Sequence, residues 1–180
     1  MEHNPWTTLQ REEQYRNNWI QVEEHQVLNP AGNPGIYGVV RFAAYAIGII
    51  PVDTFGNTWL VGQYRYPLEA YSWEIPEGGG NKNDTPERSA LRELQEETGV
   101  MAGRLELLAH LHTSNSITDE EAFIYLATDL TEGQSSPEET ESLQIRKLPL
   151  TEAIQMAMDG RITDAMSVAG LLKAKLVLGL

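Results

Sequence analysis

The stretch RELQEETGV, residues 92–100, sets Glu93, Glu96 and Glu97 within five residues of one another in a chain whose formal net charge is −13. Carboxylates that close repel, so the run is either a solvated helix face or a site that something cationic completes. On an α-helix, residues three and four apart share a face, and these three spread over about 100° of arc. Upstream, Gly78, Gly79, Gly80 and the polar NKND at 81–84 predict a loop that can approach a ligand closely and that feeds the amino end of the acidic helix. Divalent cations held by carboxylates would invert the local charge and make an acidic cleft attractive to phosphate oxygens. Glu93 and Glu97, one turn apart, are then the principal metal ligands, with Glu96 a ligand or the partner of one. Arg92 either orients a glutamate through a charge-assisted hydrogen bond or makes an ordinary surface ion pair.

The elements that must position these groups follow from period and punctuation. Asp84 or Thr85 caps the acidic helix, Pro86 suits its first turn and Gly99 stops it, while Ala90, Leu91 and Leu94 turn towards a core. Residues 19–28 and 36–42 have strand character and NPAGNPG at 29–35 is a dense turn signal, so an N-terminal hairpin is expected. The nearly apolar run FAAYAIGIIPV at 42–52 is too short to cross a bilayer, which takes roughly 20 residues, and reads as a buried strand. DTFGN, with Gly56 and Asn57, suits a tight turn from it to a second, antiparallel strand, TWLVGQYRY. Leu105, Leu107 and Ala109 alternate as a strand, residues 122–130 and 143–150 are two more, and TEGQSSPEET at 131–140 reads as a mobile loop. One closing helix follows Thr151 and stops at Gly160; the last begins near Thr163 or Asp164. Strands, one helix, more strands and terminal helices predict a mixed α/β sandwich and disfavour a regular βαβ series.

Composition narrows the function. With 26 acidic against 13 basic residues, a nucleic-acid backbone is a poor partner, although a small phosphorylated substrate is not excluded. The absence of cysteine excludes disulfides, thiol chemistry and cysteine-built zinc sites. MEHNPW at the start has neither a basic nor an apolar leader region, so a cytoplasmic protein is expected. His110 and His112 would share a strand face and invite a metal reading, but no third ligand stands near them in the sequence.

Taken together, residues 78–100 resemble the Nudix hydrolase signature, G-x5-E-x7-R-E-U-x-E-E-x-G-U with U aliphatic. Gly78, Arg92, Glu93, Leu94, Glu96, Glu97, Gly99 and Val100 fall on its fixed places. Asp84 stands where the family has glutamate, one methylene shorter at a position that looks mainly structural. The resemblance implies a Nudix-type α/β/α sandwich with a mixed sheet over residues 43–180, plus an N-terminal strand region, 1–42, that forms a dimer. It implies Mg²⁺, with Mn²⁺ as a substitute, on Glu93, Glu96 and Glu97, and a further metal ligand in the backbone carbonyl of Glu77, where relatives often have alanine.

Outside the signature, the chain is similar to the ADP-ribose pyrophosphatase branch. VGQYRYPLEAYSWEIPEGG (61–79) looks like that branch's Q-x-R strand followed by W-E-(L/I)-P-x-G, and residues 148–168 look like its closing helix, turn and last helix. By this match Arg65 contacts substrate phosphate or the terminal sugar, or else is a plain strand-surface arginine. SNSITDEE at 114–121 stands in for a loop that carries a further glutamate. Its usual Pro-Gly is replaced by Asn115 and Ser116, and Glu120 or the neighbouring Glu121 becomes the base. A base must stay free to take a proton, which favours Glu120 over the helix acids. Trp19 and Tyr37, with Trp6 behind them, are candidates to stack on the nucleobase, although aromatics on strands more often pack. The implied reaction splits a nucleoside diphosphate sugar, such as ADP-ribose or GDP-mannose, into a nucleoside monophosphate and a sugar phosphate. An ADP-ribose sensor without cleavage is the rival, and triphosphate or capped-RNA hydrolysis a third reading.

Overall fold

The structure is a computed structural model; it describes residues 3–135 and 143–180. The chain divides into two compact units, one of residues 1–44 with 112–120, the other of 45–111 with 121–180.

The first unit is an antiparallel sheet in the order β1 (Thr7–Arg16), β2 (Ile20–Leu28), β3 (Pro34–Phe42). The expected hairpin is β2–β3, paired from Ile20–Phe42 to Leu28–Pro34, and Gly32 turns it with φ +80°. Strand β1 was not foreseen. Its sequence, TTLQREEQYR, is exposed at every position, so no apolar alternation announces it. Segment 112–120 returns along β3: the backbone of Val40 bridges Thr118, Phe42 N donates to Asp119 Oδ1 at 2.9 Å, and the Tyr37 hydroxyl donates to Ser116 O at 2.7 Å.

The second unit holds two sheets. One runs β7 (Glu77–Asn81), β4 (Ala44–Pro51), β9 (Glu121–Glu132), β8 (Val100–His112), with β4 and β9 parallel; the other runs β10 (Gln144–Pro149), β5 (Asn57–Arg65), β6 (Ala70–Glu74). Both faces of β4 and β9 are covered. Ile47, Ile49, Tyr125 and Ala127 pack with Ala90 and Leu94 of α1 (Pro86–Thr98). Ile50, Ile124 and Leu126 pack with Ile154 of α2 (Leu150–Met158) and Leu171 of α3 (Ala165–Leu178). Burial on both sides makes these strands continuous apolar runs rather than alternating ones. This is the mixed α/β architecture expected.

Several local expectations change. The DTFGN turn forms, with Gly56 N donating to Asp53 O at 3.0 Å and Gly56 at φ +78°. It does not close a hairpin, because β4 and β5 belong to different sheets and the turn passes the chain between them. Gly78, Gly79 and Gly80 lie within β7 rather than in a loop; the turn begins after them, at Lys82. On β8, Leu107 is exposed while Leu108 and Ala109 are buried, so simple alternation fails there. On α1 (Pro86–Thr98), Leu91 was expected on the core face with Ala90 and Leu94 but is exposed, so the buried stripe is narrower than its apolar residues suggest. Of the predicted loop 131–140, Thr131 and Glu132 end β9, and 136–140 lie outside the described residues. Among the described residues no helix is long and apolar enough to cross a membrane.

Candidate functional site: a carboxylate cradle

Helix α1 is fixed at both ends. Thr85 Oγ1 accepts a hydrogen bond from Arg88 N at 3.3 Å, and Gly99 closes the helix in the left-handed conformation, φ +75°. The side that carries Ala90 and Leu94 inwards also turns Glu93 and Glu97 in, to 9% and 2% exposure. Ionised carboxylates so shielded are costly unless donors or a cation complete them. Glu97 Oε2 accepts from the backbone N–H of Glu77 at 2.9 Å, and Glu93 Oε1 from Arg92 Nη2 at 2.7 Å. Arg92 also donates to Glu96 Oε2 at 2.6 Å and to Gly79 O at 2.9 Å, tying the helix to β7. Its interactions are therefore those of a clamp on the site rather than of an isolated surface pair. A β-carbon at Gly78 would collide with the Glu93 carboxylate in its present position, so the glycine leaves space for that side chain rather than making a turn.

A second group of charges lies beside the first. Glu74, 2% exposed, holds Arg65: the guanidinium donates from Nε at 3.0 Å and from Nη2 at 2.6 Å. The same Nη2 also donates to Glu77 Oε1 at 2.6 Å. Glu77 Oε2 is buried without a hydrogen-bond partner. Burial, and then the charges of Asp164 and Glu74, push the Glu77 carboxyl well above the usual carboxylate range, against the pull of Arg65. Burial works against the charge on Arg65, but its bond to Glu74 and the fields of Glu77 and Asp164 outweigh it and raise its pKa. Arg65 is thus neither a plain surface arginine nor a free anion hook: one guanidinium faces two carboxylates. The sequence reading missed Glu74 as a partner of Arg65, although it stands in the W-E-I-P run. Asp164, named from the sequence as a start of the last helix, does cap α3, accepting from Ser167 N at 2.7 Å; its charge also acts on Glu77, a part in the site that the sequence did not indicate. Ser167, in turn, accepts from Ile75 N at 2.9 Å, fixing the link between β6 and β7 to α3.

These residues fit a hard divalent cation. Their donors are oxygens, two carboxylates share one buried helix face, a glycine leaves room beside Glu93, and one buried carboxylate oxygen lacks a partner.

The remaining sequence candidates divide between the units. In the first, Glu120 accepts from the Thr113 hydroxyl. Trp19 is 71% exposed, whereas Tyr37 is met edge-on by Trp6, centroids 5.4 Å apart. In the second, Glu121 Oε2 lies 2.9 Å from His110 Nε2, whose ring stacks on Phe123 at 4.6 Å. The histidine pair, read as having no third ligand nearby, thus has a carboxylate beside His110.

The fold closely matches a solved structure described as "Crystal structure of ADP compounds hydrolase", with a TM-score of 0.88 over 99% of this chain and 97% of that one, at 23% identity. The NUDIX domain profile matches residues 43–167, and that of the nucleoside diphosphate sugar hydrolase N-terminal domain matches residues 6–40. The chain belongs to the Nudix family. It is 31% identical to a "Methanol dehydrogenase activator" of Bacillus methanolicus, over 89% of this chain and 88% of that protein. It is 30% identical to an "ADP-ribose pyrophosphatase" of Bacillus subtilis (strain 168), over 88% and 86%.

Proposed function

We infer that this protein hydrolyses the pyrophosphate bond of ADP-ribose or a related nucleoside diphosphate sugar, releasing a nucleoside monophosphate and a sugar phosphate. The observation that carries the reading is the buried pair Glu93 and Glu97 beside Gly78, two shielded carboxylates on one helix face. Glu93, Glu97, Glu96 and the Glu77 carbonyl would hold Mg²⁺, or Mn²⁺ in its place. When bound, the metal supplies charge neutralisation at the pyrophosphate and stabilises the leaving phosphate.

The chain's own residues do the rest. Arg92 fixes Glu93 and Glu96 by charge-assisted bonds. Arg65 offers its guanidinium to a phosphate or to the terminal sugar. Water attacks phosphorus, the bridging P–O bond breaks, and the water's proton passes to a carboxylate. Glu120 is the base of choice, since its partner is a neutral hydroxyl, whereas Glu121 is engaged by His110. Trp19, exposed on the N-terminal unit, and Tyr37 are the candidates for nucleobase contact. Dimerisation through residues 1–42 and a cytoplasmic location complete the reading. A sensor that binds without cleaving has no use for buried, mutually repelling acids, so cleavage is the better account.

The test is a panel of nucleoside diphosphate sugars, dinucleotides and triphosphates incubated with Mg²⁺, scored for phosphate-bond cleavage. ADP-ribose or another nucleotide sugar should be cut to the monophosphate and sugar phosphate only when the metal is present. Binding of ADP-ribose without any cleavage across the panel would favour the sensor instead.

A further inference from the structure

Among the described residues of this site, Glu77 is the acid with a buried oxygen that has no hydrogen-bond partner. One oxygen accepts from Arg65; the other is buried with no partner. Its side chain is 12% exposed and that of Glu74 3%, so both carboxyl groups hold Arg65 with little competition from water. With Nε and Nη2 both engaged by carboxyl oxygens of Glu74 and Glu77, a diphosphate approaching Arg65 meets a guanidinium several of whose donors are already taken. Glu77 is also joined to the cradle: its own N–H donates to Glu97 Oε2 at 2.9 Å, so its side chain and the helix acid stand on adjoining ground.

We propose that the Glu77 side chain is a latch on Arg65 that a divalent cation releases, making Glu77 a positioning residue that couples cation binding to phosphate binding. This rests on the reading above, in which α1 holds the metal and Arg65 contacts phosphate. A divalent cation held by the site would give the Glu77 carboxyl the partner it lacks and draw that carboxyl away from Arg65. Arg65 keeps its bonds to Glu74, which hold the guanidinium in place, and recovers the Nη2 hydrogen that Glu77 had occupied for donation to phosphate. The coupling is reciprocal: whatever factor the cation adds to phosphate affinity, the phosphate ligand adds to cation affinity.

The experiment measures, by calorimetry on the full-length chain, binding of the non-hydrolysable α,β-methylene analogue of ADP-ribose in EDTA and in Mg²⁺. Wild type should bind the analogue weakly in EDTA and much more tightly with the metal. E77A and E77Q should bind it about tenfold more tightly than wild type in EDTA, with a smaller gain on adding Mg²⁺, and R65A added to either variant should abolish that improvement. E77Q preserves side-chain volume, so it decides the matter if E77A fails to fold by circular dichroism. Folded E77Q that binds no more tightly than wild type in EDTA overturns the latch. If that happens while wild type still cleaves nucleotide sugars with Mg²⁺, the proposed reaction stands without it. If wild type neither binds the analogue nor cleaves any substrate, the reaction fails and the latch with it.

Discussion

Asp53 and Glu77 are both shielded carboxylates in the same unit, and the fold treats them in opposite ways. Asp53 sits at the turn from β4 to β5 and accepts from Asn57 N at 2.8 Å, Phe55 N at 2.9 Å and Asn57 Nδ2 at 3.0 Å, with Lys147 Nζ 3.1 Å away. Burial opposes its charge, but those donors outweigh burial and bring its pKa down to about 2. Lys147 is held in turn by Glu132 at 2.6 Å and lies 4.3 Å from the centre of the Trp59 ring. Glu77 has one guanidinium, shared with Glu74, and an oxygen with no partner; its pKa moves up. A carboxylate whose hydrogen-bonding capacity is filled from its own turn is architecture. One held at a cost among other acids requires something from outside.

That contrast can be broken in several places. The largest effect should come from Glu97→Gln. If the cradle exists for a cation, turnover of ADP-ribose with Mg²⁺ should fall by roughly three orders of magnitude, while the melting temperature holds or rises because a buried charge has been removed. Unchanged turnover would take Glu97 out of the chemistry. Glu120→Gln and Glu121→Gln, assayed side by side, should differ by about tenfold or more, with Glu120 the costlier loss; small, equal losses would discard the loop assignment.

Gly78→Ala sharpens the spatial half of the argument. The added methyl displaces the Glu93 carboxylate and should weaken Mn²⁺ binding, followed by electron paramagnetic resonance, by about one order of magnitude; wild-type affinity would show that Glu93 does not need that space.

The smallest effect belongs to the satisfied acid. Asp53→Asn should cost about 1–2 kcal/mol of unfolding free energy and leave turnover unchanged. The pH dependence carries a definite sign: the folded pKa of Asp53, about 2, lies below its ordinary 3.8. Its contribution is therefore present above about pH 4 and lost as the pH falls towards 2. Denaturant melts across that window should show a loss in wild type that Asp53→Asn lacks; parallel curves would return Asp53 to an ordinary surface acid.

Much of this was legible because the signals are local. The cap at Thr85, the stop at Gly99, the shared face of Glu93 and Glu97 and the β2–β3 hairpin each depend on residues within a turn or a short pair of strands. Strand β1 was not legible, since ten exposed polar-rich residues carry no period, and its pairing with β2 supplies the order that its own sequence does not. The glycines of β7 were read as loop because glycine signals backbone freedom. Gly78 answers instead to a side chain fifteen residues on, a contact that exists only once α1 lies against β7.

By itself the sequence determined which acids share a helix face, where strands β2, β3, β4 and β5 run and which family signature the acids spell, because backbone geometry repeats every two or 3.6 residues. Only the tertiary structure decided that β4 and β5 part into different sheets, that Arg65 is bound between Glu74 and Glu77, and that Asp164 joins their field. Pairing and electrostatic environment depend on which distant segments meet and how much water they exclude, and neither quantity is carried by local spacing.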